Sequence, residues 1–244
     1  MDNAIYTMIT RQSGLMREFS TVANNVANMG TTGFKAEHGV FSEYISQLEG
    51  GAGAPDHATS LSMGRLGAHA TDLSDGSLRA TGGALDMAIN GEGFFQVQTA
   101  AGERLTRAGH FMLNAERILV DPMGNSVLGV GGGEIAIPLE ASNIQVARDG
   151  TISSDGIEYG RIGVFTAPIG NMSREGNNLW LAPGAQPLEN PMIASGFLEQ
   201  SNVNPVLEMA RMIEVQRHYD AGQSLMDLED ERIRSVAKAV QQMG

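Results

Sequence analysis

Apolar positions recur at helical intervals at both ends of the chain and in short, turn-bounded runs between them. Over residues 3–29 they are Ile5, Met8, Ile9, Leu15, Met16, Phe19, Val22, Ala23 and Val26, with Gln12 the one polar interruption. Spacings of three and four make a narrow stripe of the kind that packs on another helix. Gly30 is expected to close this helix in the left-handed conformation. Residues 61–185 instead show short apolar runs between turn residues about every ten positions, an all-β signature. Candidate strands are 94–99, 104–107, 118–121, 134–137, 143–147 and 161–166, with Asp149–Gly150 and Asp155–Gly156 as tight-turn signals. Pro138 and Pro168 punctuate strand ends. Helical spacing returns over 197–243, through Met209, Met212, Gln216, Tyr219, Gln223, Met226, Asp230, Ile233, Ala237 and Val240, and Pro205 sits near its start, where proline is tolerated.

The pattern predicts an α+β chain with four parts. Residues 1–36 form an N-terminal helix and turn, and 37–60 a connector, partly flexible because GGAGAPDHATS (50–60) is rich in Gly and Ala. Residues 61–185 form an all-β domain, and 186–244 a return segment and C-terminal helix. An isolated helix of either length is marginal in water. Each apolar stripe must therefore be buried against the other helix, the β domain or further copies.

Asn24, Asn25 and Asn28 stand out within the first helix, since each Asn costs about half a kcal/mol against Ala in a helix interior. Asn24 and Asn28 lie one turn apart on one face, where buried amides can fix register at a cost in stability. The plainer alternative is that Asn28 and Gly30 end the helix and Asn24 faces water.

Composition narrows the function classes. The chain has 244 residues and a net charge of −12, a poor match to nucleic-acid phosphates or anionic lipid. No run of 18 apolar residues suggests a membrane span. The opening MDNAIYTMITRQ lacks the charge and apolar core of a secretory signal. Without cysteine there are no disulfides, thiolate nucleophiles or Cys-based zinc sites.

Catalytic patterns are weak. Asp149, Thr151, Ser153 and Asp155 alternate as calcium ligands would, but Gly160 stands where the bidentate acid belongs, and hairpin turns explain them better. Ser235 and Lys238 match a Ser-x-x-Lys pattern without its companion motifs. The Gly-rich stretches 91–93 and 129–133 do not lead from a strand into a helix, so they cradle no phosphate. The five histidines are scattered, and the acidic run Asp227–Glu231 is followed by Arg232 and Arg234, as on a solvated face. The expectation is no enzyme, no cofactor and no metal.

Three motifs carry a resemblance. NNVANMGTTGFKAE, matched over residues 23–36, resembles the N-terminal signature of the bacterial flagellar rod and hook axial protein family, with its T-x-GF-[KR] turn at Gly33 and Phe34. LDMAINGEGFFQV (85–97) with LTRAGHF (105–111) looks like the family's core hairpin. LEQSNVNPVLEMARMIEVQRHYD (198–220) looks like its C-terminal signature. One departure is Asn114-Ala115-Glu116-Arg117, where the family usually has an Asp-x-x-Gly turn.

The resemblance implies a structural subunit whose terminal helices pair as an antiparallel coiled coil and assemble helically with other copies. The assembly seams of the two axial helices would then be Ile5, Ile9, Met16, Phe19 and Val26, and Met209, Met212, Tyr219, Met226, Ile233 and Val240. Asn24, Asn25 and Asn28 would serve as register residues. Within the family the pattern is most similar to proximal rod proteins, which help build the drive shaft for motility; the distal rod protein is the alternative, and a secreted oligomeric binding module a more distant one. Implied partners are other copies, other proximal rod proteins, the distal rod protein and the flagellar type III export apparatus, with no nucleic acid and no membrane insertion. The implied place is the periplasmic part of the basal body, reached without a cleaved signal peptide. Phe41-Ser-Glu-Tyr-Ile45 resembles the export-gate motif of such substrates, and a packed Phe41–Ile45 pair is the competing reading.

Overall fold

The computed structural model describes residues 2–47 and 60–243, with the side chains of 8–40, 70–168, 170–236, 238–239 and 241. The chain is α+β and divides into two units, one formed by Met1–Ala27, Ala36–Asp72 and Val203–Gly244, the other by Asn28–Lys35 and Leu73–Asn202.

The first unit holds helix α1 (Asp2–Ala27), helix α2 (Pro205–Met243) and an antiparallel hairpin of β1 (Glu37–Gln47) and β2 (Ser60–Thr71), with a bulge between Val40 and Phe41. The segment expected to be a connector is thus a strand over Glu37–Gln47, and residues 48–59 lie outside the described ones. EHGVFSEYISQ carries its apolar residues in adjacent pairs, Val40–Phe41 and Tyr44–Ile45, and not in the strict alternation that announces a strand. α2 starts crisply because Asn204 Oδ1 accepts from the amides of Val206 and Leu207, 3.1 and 3.3 Å away, and Pro205 occupies the first turn.

The two helices touch. Gln12 Nε2 donates to Tyr219 O at 3.0 Å, Arg211 Nε lies 3.4 Å from Glu18 Oε1, and Asn25 Nδ2 donates to Glu208 Oε2 at 3.2 Å. The inward stripe of α1 is Met8, Gln12, Leu15, Phe19, Val22 and Asn25, and that of α2 is Glu208, Met212, Val215, Tyr219, Gly222 and Met226. Of the expected seam residues, Phe19, Val26, Met212, Tyr219 and Met226 are at least half-buried. Ile9, Met16, Met209 and Ile233 are exposed and do not belong to this contact. The reason is phase: both helices carry two apolar stripes, and the buried one contains polar residues whose hydrogen bonds cannot be seen from spacing. Gln12 fits because Gly222 is bare; a Cβ there would stand 2.8 Å from Gln12 Oε1. Ile5, Val240, Phe41 and Ile45 have side chains outside the described ones.

α1 ends at Ala27 and not through a left-handed Gly30. The residue with positive φ is Gly33, at 66°.

The second unit is a β structure. A nine-stranded sheet centres on Phe94–Thr99, which pairs with Gly102–Thr106, Ser126–Val127 and Val164–Thr166. Small sheets flank it: Ile144–Val146, Thr151–Ser154 and Ile157–Arg161 form one, and Ile193–Ser195 and Phe197–Glu199 pair with Met87–Ile89 and Leu78–Ala80. The β unit therefore reaches to residue 202, past the expected boundary at 185. The expected strand 134–137 makes only isolated bridges, through Glu134 and Ala136. The hairpin at Asp155–Gly156 has both turn residues at positive φ, 51° and 82°, as the Asp-Gly signal required. The main core gathers Met87, Phe95, Val97, Phe111, Leu119, Val127, Ile152, Ile162 and Val164, with Phe95 and Phe111 edge to face at 5.1 Å.

The turn lacking its expected glycine is closed by Arg117 at φ 64°. Asn114 Oδ1 accepts from the amides of Glu116 and Ile118, and Arg117 donates from Nε to Ile137 O (3.1 Å) and from Nη2 to Pro138 O (3.0 Å). Those bonds offset a backbone conformation costing about 1–2 kcal/mol for a side chain with a Cβ. Arg117→Ala keeps the conformation, loses the bonds and is expected to cost about 1–2 kcal/mol; Arg117→Gly loses the same bonds but removes the strain, and is expected to be milder. Urea unfolding of both variants checks the order, and a less stable glycine variant would refute it.

Candidate functional site

The three motifs quoted above meet inside the second unit. Lys35 comes from the first, Arg107 from the second and Glu199 from the third. Lys35 Nζ lies 2.6 Å from Glu199 Oε1 and Arg107 Nη1 lies 3.2 Å from Glu199 Oε2, with both the lysine and glutamate side chains only 1% exposed. Backbone fills part of the remaining capacity: Lys35 Nζ also donates to Ser74 O at 2.6 Å, Gly76 N donates to Glu199 Oε1 at 3.0 Å, and Arg107 Nη2 donates to Gly91 O at 2.7 Å, with Asp75 Oδ1 3.8 Å from the same nitrogen, while Arg107 Nε is buried without a hydrogen-bond partner.

The glycine-phenylalanine turn is built into the same place. Gly33 N donates to Glu199 O at 2.8 Å, and a Cβ at Gly33 would collide with the backbone of Arg107 and Ala108. Left-handed φ and lack of space both demand glycine here. Phe34 is buried beneath the Arg174 guanidinium, 4.0 Å from the ring centroid, and Arg174 Nη1 donates to Lys35 O at 2.8 Å. Asn178 Nδ2 adds a bond to Thr32 O at 3.0 Å. Sequence reasoning named Gly33 and Phe34 but missed Lys35, Arg107 and Glu199. The available signal was a single Lys or Arg in each of the first two motifs and an acid near the start of the third, which holds three further acids.

Removing one member of a buried ion pair leaves an uncompensated charge and costs about 3–5 kcal/mol. Glu199→Gln keeps the shape and removes the charge, so a loss of about 3 kcal/mol is expected. Glu175→Gln, at the partly exposed Arg104–Glu175 pair, serves as the control and should cost below about 1 kcal/mol. Denaturant midpoints measure both; equal losses would contradict the assignment.

The three asparagines separate into three roles. Asn25 is fully buried in the first unit. Its Nδ2 donates to Glu37 O (2.8 Å), its Oδ1 accepts from Glu37 N (3.0 Å), and Nδ2 also reaches Glu208. The amide thus pairs with the start of β1 as a neighbouring strand would, while holding α2's first turn. Asn24 is exposed. Asn28 belongs to the turn, its Oδ1 accepting from Thr31 Oγ1 at 3.1 Å and its carbonyl from Thr31 N at 3.0 Å. Asn25→Leu strands three buried polar partners and is expected to destabilise the chain by about 2–4 kcal/mol, against below about 0.5 kcal/mol for Asn24→Ala. Thermal unfolding that ranks Asn24→Ala as the worse change would overturn this reading.

Among the described residues, no group of three or more His, Cys, Asp or Glu is placed to hold a metal ion, and no helix is long and apolar enough to cross a membrane. Asp149 is engaged locally, its oxygens accepting from Thr151 N and Thr151 Oγ1.

Three family models match the chain in order. They are the flagella basal body rod protein model over residues 5–35, the flagellar hook protein FlgE/F/G D1 domain over 88–154, and the flagellar basal body rod FlgEFG protein C-terminal model over 194–239. The chain is 39% identical to the flagellar basal-body rod protein FlgF of Caulobacter vibrioides over 252 aligned positions, covering 100% of this chain and 99% of that one. It is 32% identical to FlgF of Rhizobium meliloti, again over 100% and 99%. With FlgG of Bacillus subtilis the identity is 31%, over 97% and 98%. Lys35, Arg107 and Glu199 thus bind together segments of a shared architecture, and the chain belongs to the bacterial flagellar basal-body rod protein family, a structural subunit of the rod.

Proposed function

We propose that the chain is a proximal rod subunit, assembling helically through α1 and α2 paired as an antiparallel coiled coil and so helping to form the shaft that transmits torque. The observation that carries the pairing is contact order: Gln12 with Tyr219, Glu18 with Arg211, and Asn25 with Glu208 run in opposite directions along the two helices. Proximal placement rests on end-to-end similarity to FlgF proteins, and similarity to FlgG keeps the distal rod as the second reading.

In this reading the apolar residues left outside the intrachain contact, Ile9, Met16, Met209 and Ile233, face other subunits. They are already about half covered, so their burial on assembly contributes about 1 kcal/mol each, set against the ordering of the chain. The partners are further copies, the other proximal rod proteins and the distal rod protein. The chain reaches the periplasmic rod through the flagellar type III export apparatus without a cleaved signal, using the strand segment at Phe41–Ile45. Neither a nucleic-acid partner nor membrane insertion is part of the proposal.

Quantitative mass spectrometry of purified hook–basal bodies tests placement. A low, stoichiometric copy number relative to the hook and distal rod subunits is expected. A count matching the distal rod would move the chain there, and its absence would reject the reading. Export is tested separately: Phe41→Ala is expected to cut secretion while cytoplasmic levels hold, and unchanged secretion removes the motif.

A further inference from the structure

Asn90 and Gly91 follow the strand Met87–Ile89 and form the only Asn-Gly pair in the sequence. The peptide between them is held at its outer ends and free within. Asn90 N donates to Met192 O at 2.8 Å, and Gly91 O accepts from Arg107 Nη2 at 2.7 Å. Asn90 is exposed, and neither its side-chain amide nor the Gly91 N–H bonds any described residue. Gly91 has φ 99°, and a Cβ built on it would meet nothing within 4 Å. It also lines a cavity of about 520 Å³ together with Asp75, Phe94 and Arg107. The main chain therefore has room to shift here, and no side chain at residue 91 hinders an approach to its nitrogen.

Asparagine is chemically labile when the next backbone nitrogen can reach its side-chain carbonyl. Two other described asparagines precede a small residue, Asn114 before Ala115 and Asn125 before Ser126. Both side chains are held. Asn114 Oδ1 accepts from the amides of Glu116 and Ile118, at 3.0 and 2.9 Å. Asn125 Nδ2 donates to Asp121 Oδ2 at 2.8 Å, and Asn125 N donates to Asp121 Oδ1 at 2.8 Å. At Asn90 both reacting groups are unbonded.

We propose that Asn90 is a site of spontaneous deamidation whose isoaspartate product loosens the buried Arg107 anchor. Gly91 N attacks Asn90 Cγ, and the new C–N bond closes a five-membered succinimide. The side-chain nitrogen leaves as ammonia, carrying the proton lost from Gly91 N. Water then opens the ring. Cleavage at the Cγ carbonyl gives aspartate, which keeps the main-chain length. Cleavage at the α-carbonyl gives isoaspartate, which inserts a methylene between residues 90 and 91. With Asn90 N held by Met192 O, that extra atom displaces Gly91 O from Arg107 Nη2. Arg107 Nε already lacks a partner, so the guanidinium keeps only Glu199, Asp75 and the 3.5 Å contact to Ile89 O. Losing a hydrogen bond to a charged, buried donor is costlier than losing a neutral one. A surface reaction thus reaches the Lys35–Glu199–Arg107 cluster.

The full-length chain is aged at neutral and mildly alkaline pH in heavy-oxygen water, digested and read by mass spectrometry, with isoaspartate reported by enzymatic O-methylation. Asn90 is expected to convert severalfold faster than Asn114 and Asn125, with isoaspartate in excess, and faster still at the higher pH because the deprotonated amide attacks. Conversion of Asn90 no faster than that of the other two overturns the proposal. Urea unfolding then separates charge from main-chain length. The aged, isoaspartate-containing chain is expected to show a lower midpoint than fresh protein, while Asn90→Asp matches the parent and aged Asn90→Gln keeps its midpoint. An isoaspartate chain as stable as Asn90→Asp, or an equal fall in aged Asn90→Gln, overturns the link to Arg107 and with it the proposal.

Discussion

A single carboxylate between two cations organises the β unit. Glu199 has no exposure to speak of, and neither do Lys35 and Arg107. Their charges must be satisfied internally, because desolvating an unpaired ion costs several kcal/mol. Satisfaction requires three segments remote in sequence to arrive together: the turn after α1, the strand end beyond Thr106 and the strand Phe197–Glu199. Gly33, which tolerates both the positive φ and the close approach to Arg107, lets the first segment enter. Phe34 then lies beneath Arg174. The signatures therefore constrain one another spatially, and each looks locally arbitrary when read alone.

The first unit uses the same device in neutral form. Asn25 stands within the helix contact where an aliphatic side chain would pack more cheaply. Its amide meets the backbone of Glu37 and the carboxylate of Glu208 at once, so it specifies one relation among α1, β1 and α2. Shifting either helix by a turn would leave these groups unpaired and buried. A polar residue in an apolar seam thus trades stability for register. The neighbouring Gln12, fitted against bare Gly222, acts in the same direction.

These particulars explain what could be read from sequence. Helix positions, the β character of the middle and the Asp155–Gly156 turn follow from local periodicity and from residues with few conformational options. Arg117 was legible only as an anomaly, since its left-handed conformation depends on carbonyls at 137 and 138. The β1 strand was missed because nothing local distinguishes a strand whose partner begins at Ser60 from a connector. Spacing could not show that Ile9, Met16 and Met209 lie outside the intrachain contact, for a related reason. Apolar spacing shows where a helix can bury a face, but choosing between two such faces requires the hydrogen-bond partners of Gln12, Asn25 and Glu208. Lys35, Arg107 and Glu199 were visible as letters, and their convergence is a property of topology alone.

The lone chain leaves apolar residues exposed on both helices, a condition that favours association. Its net charge of −12 works against indiscriminate contact, because copies repel at long range. The exception to that charge is the stretch from Arg232 onward. Charge patterned in this way makes some approaches of two copies less repulsive than others. Hydrophobic burial then supplies affinity, which patterned charge alone would not at exposed sites. A structural subunit of the rod has use for both, repulsion against indiscriminate contact and apolar surface for association.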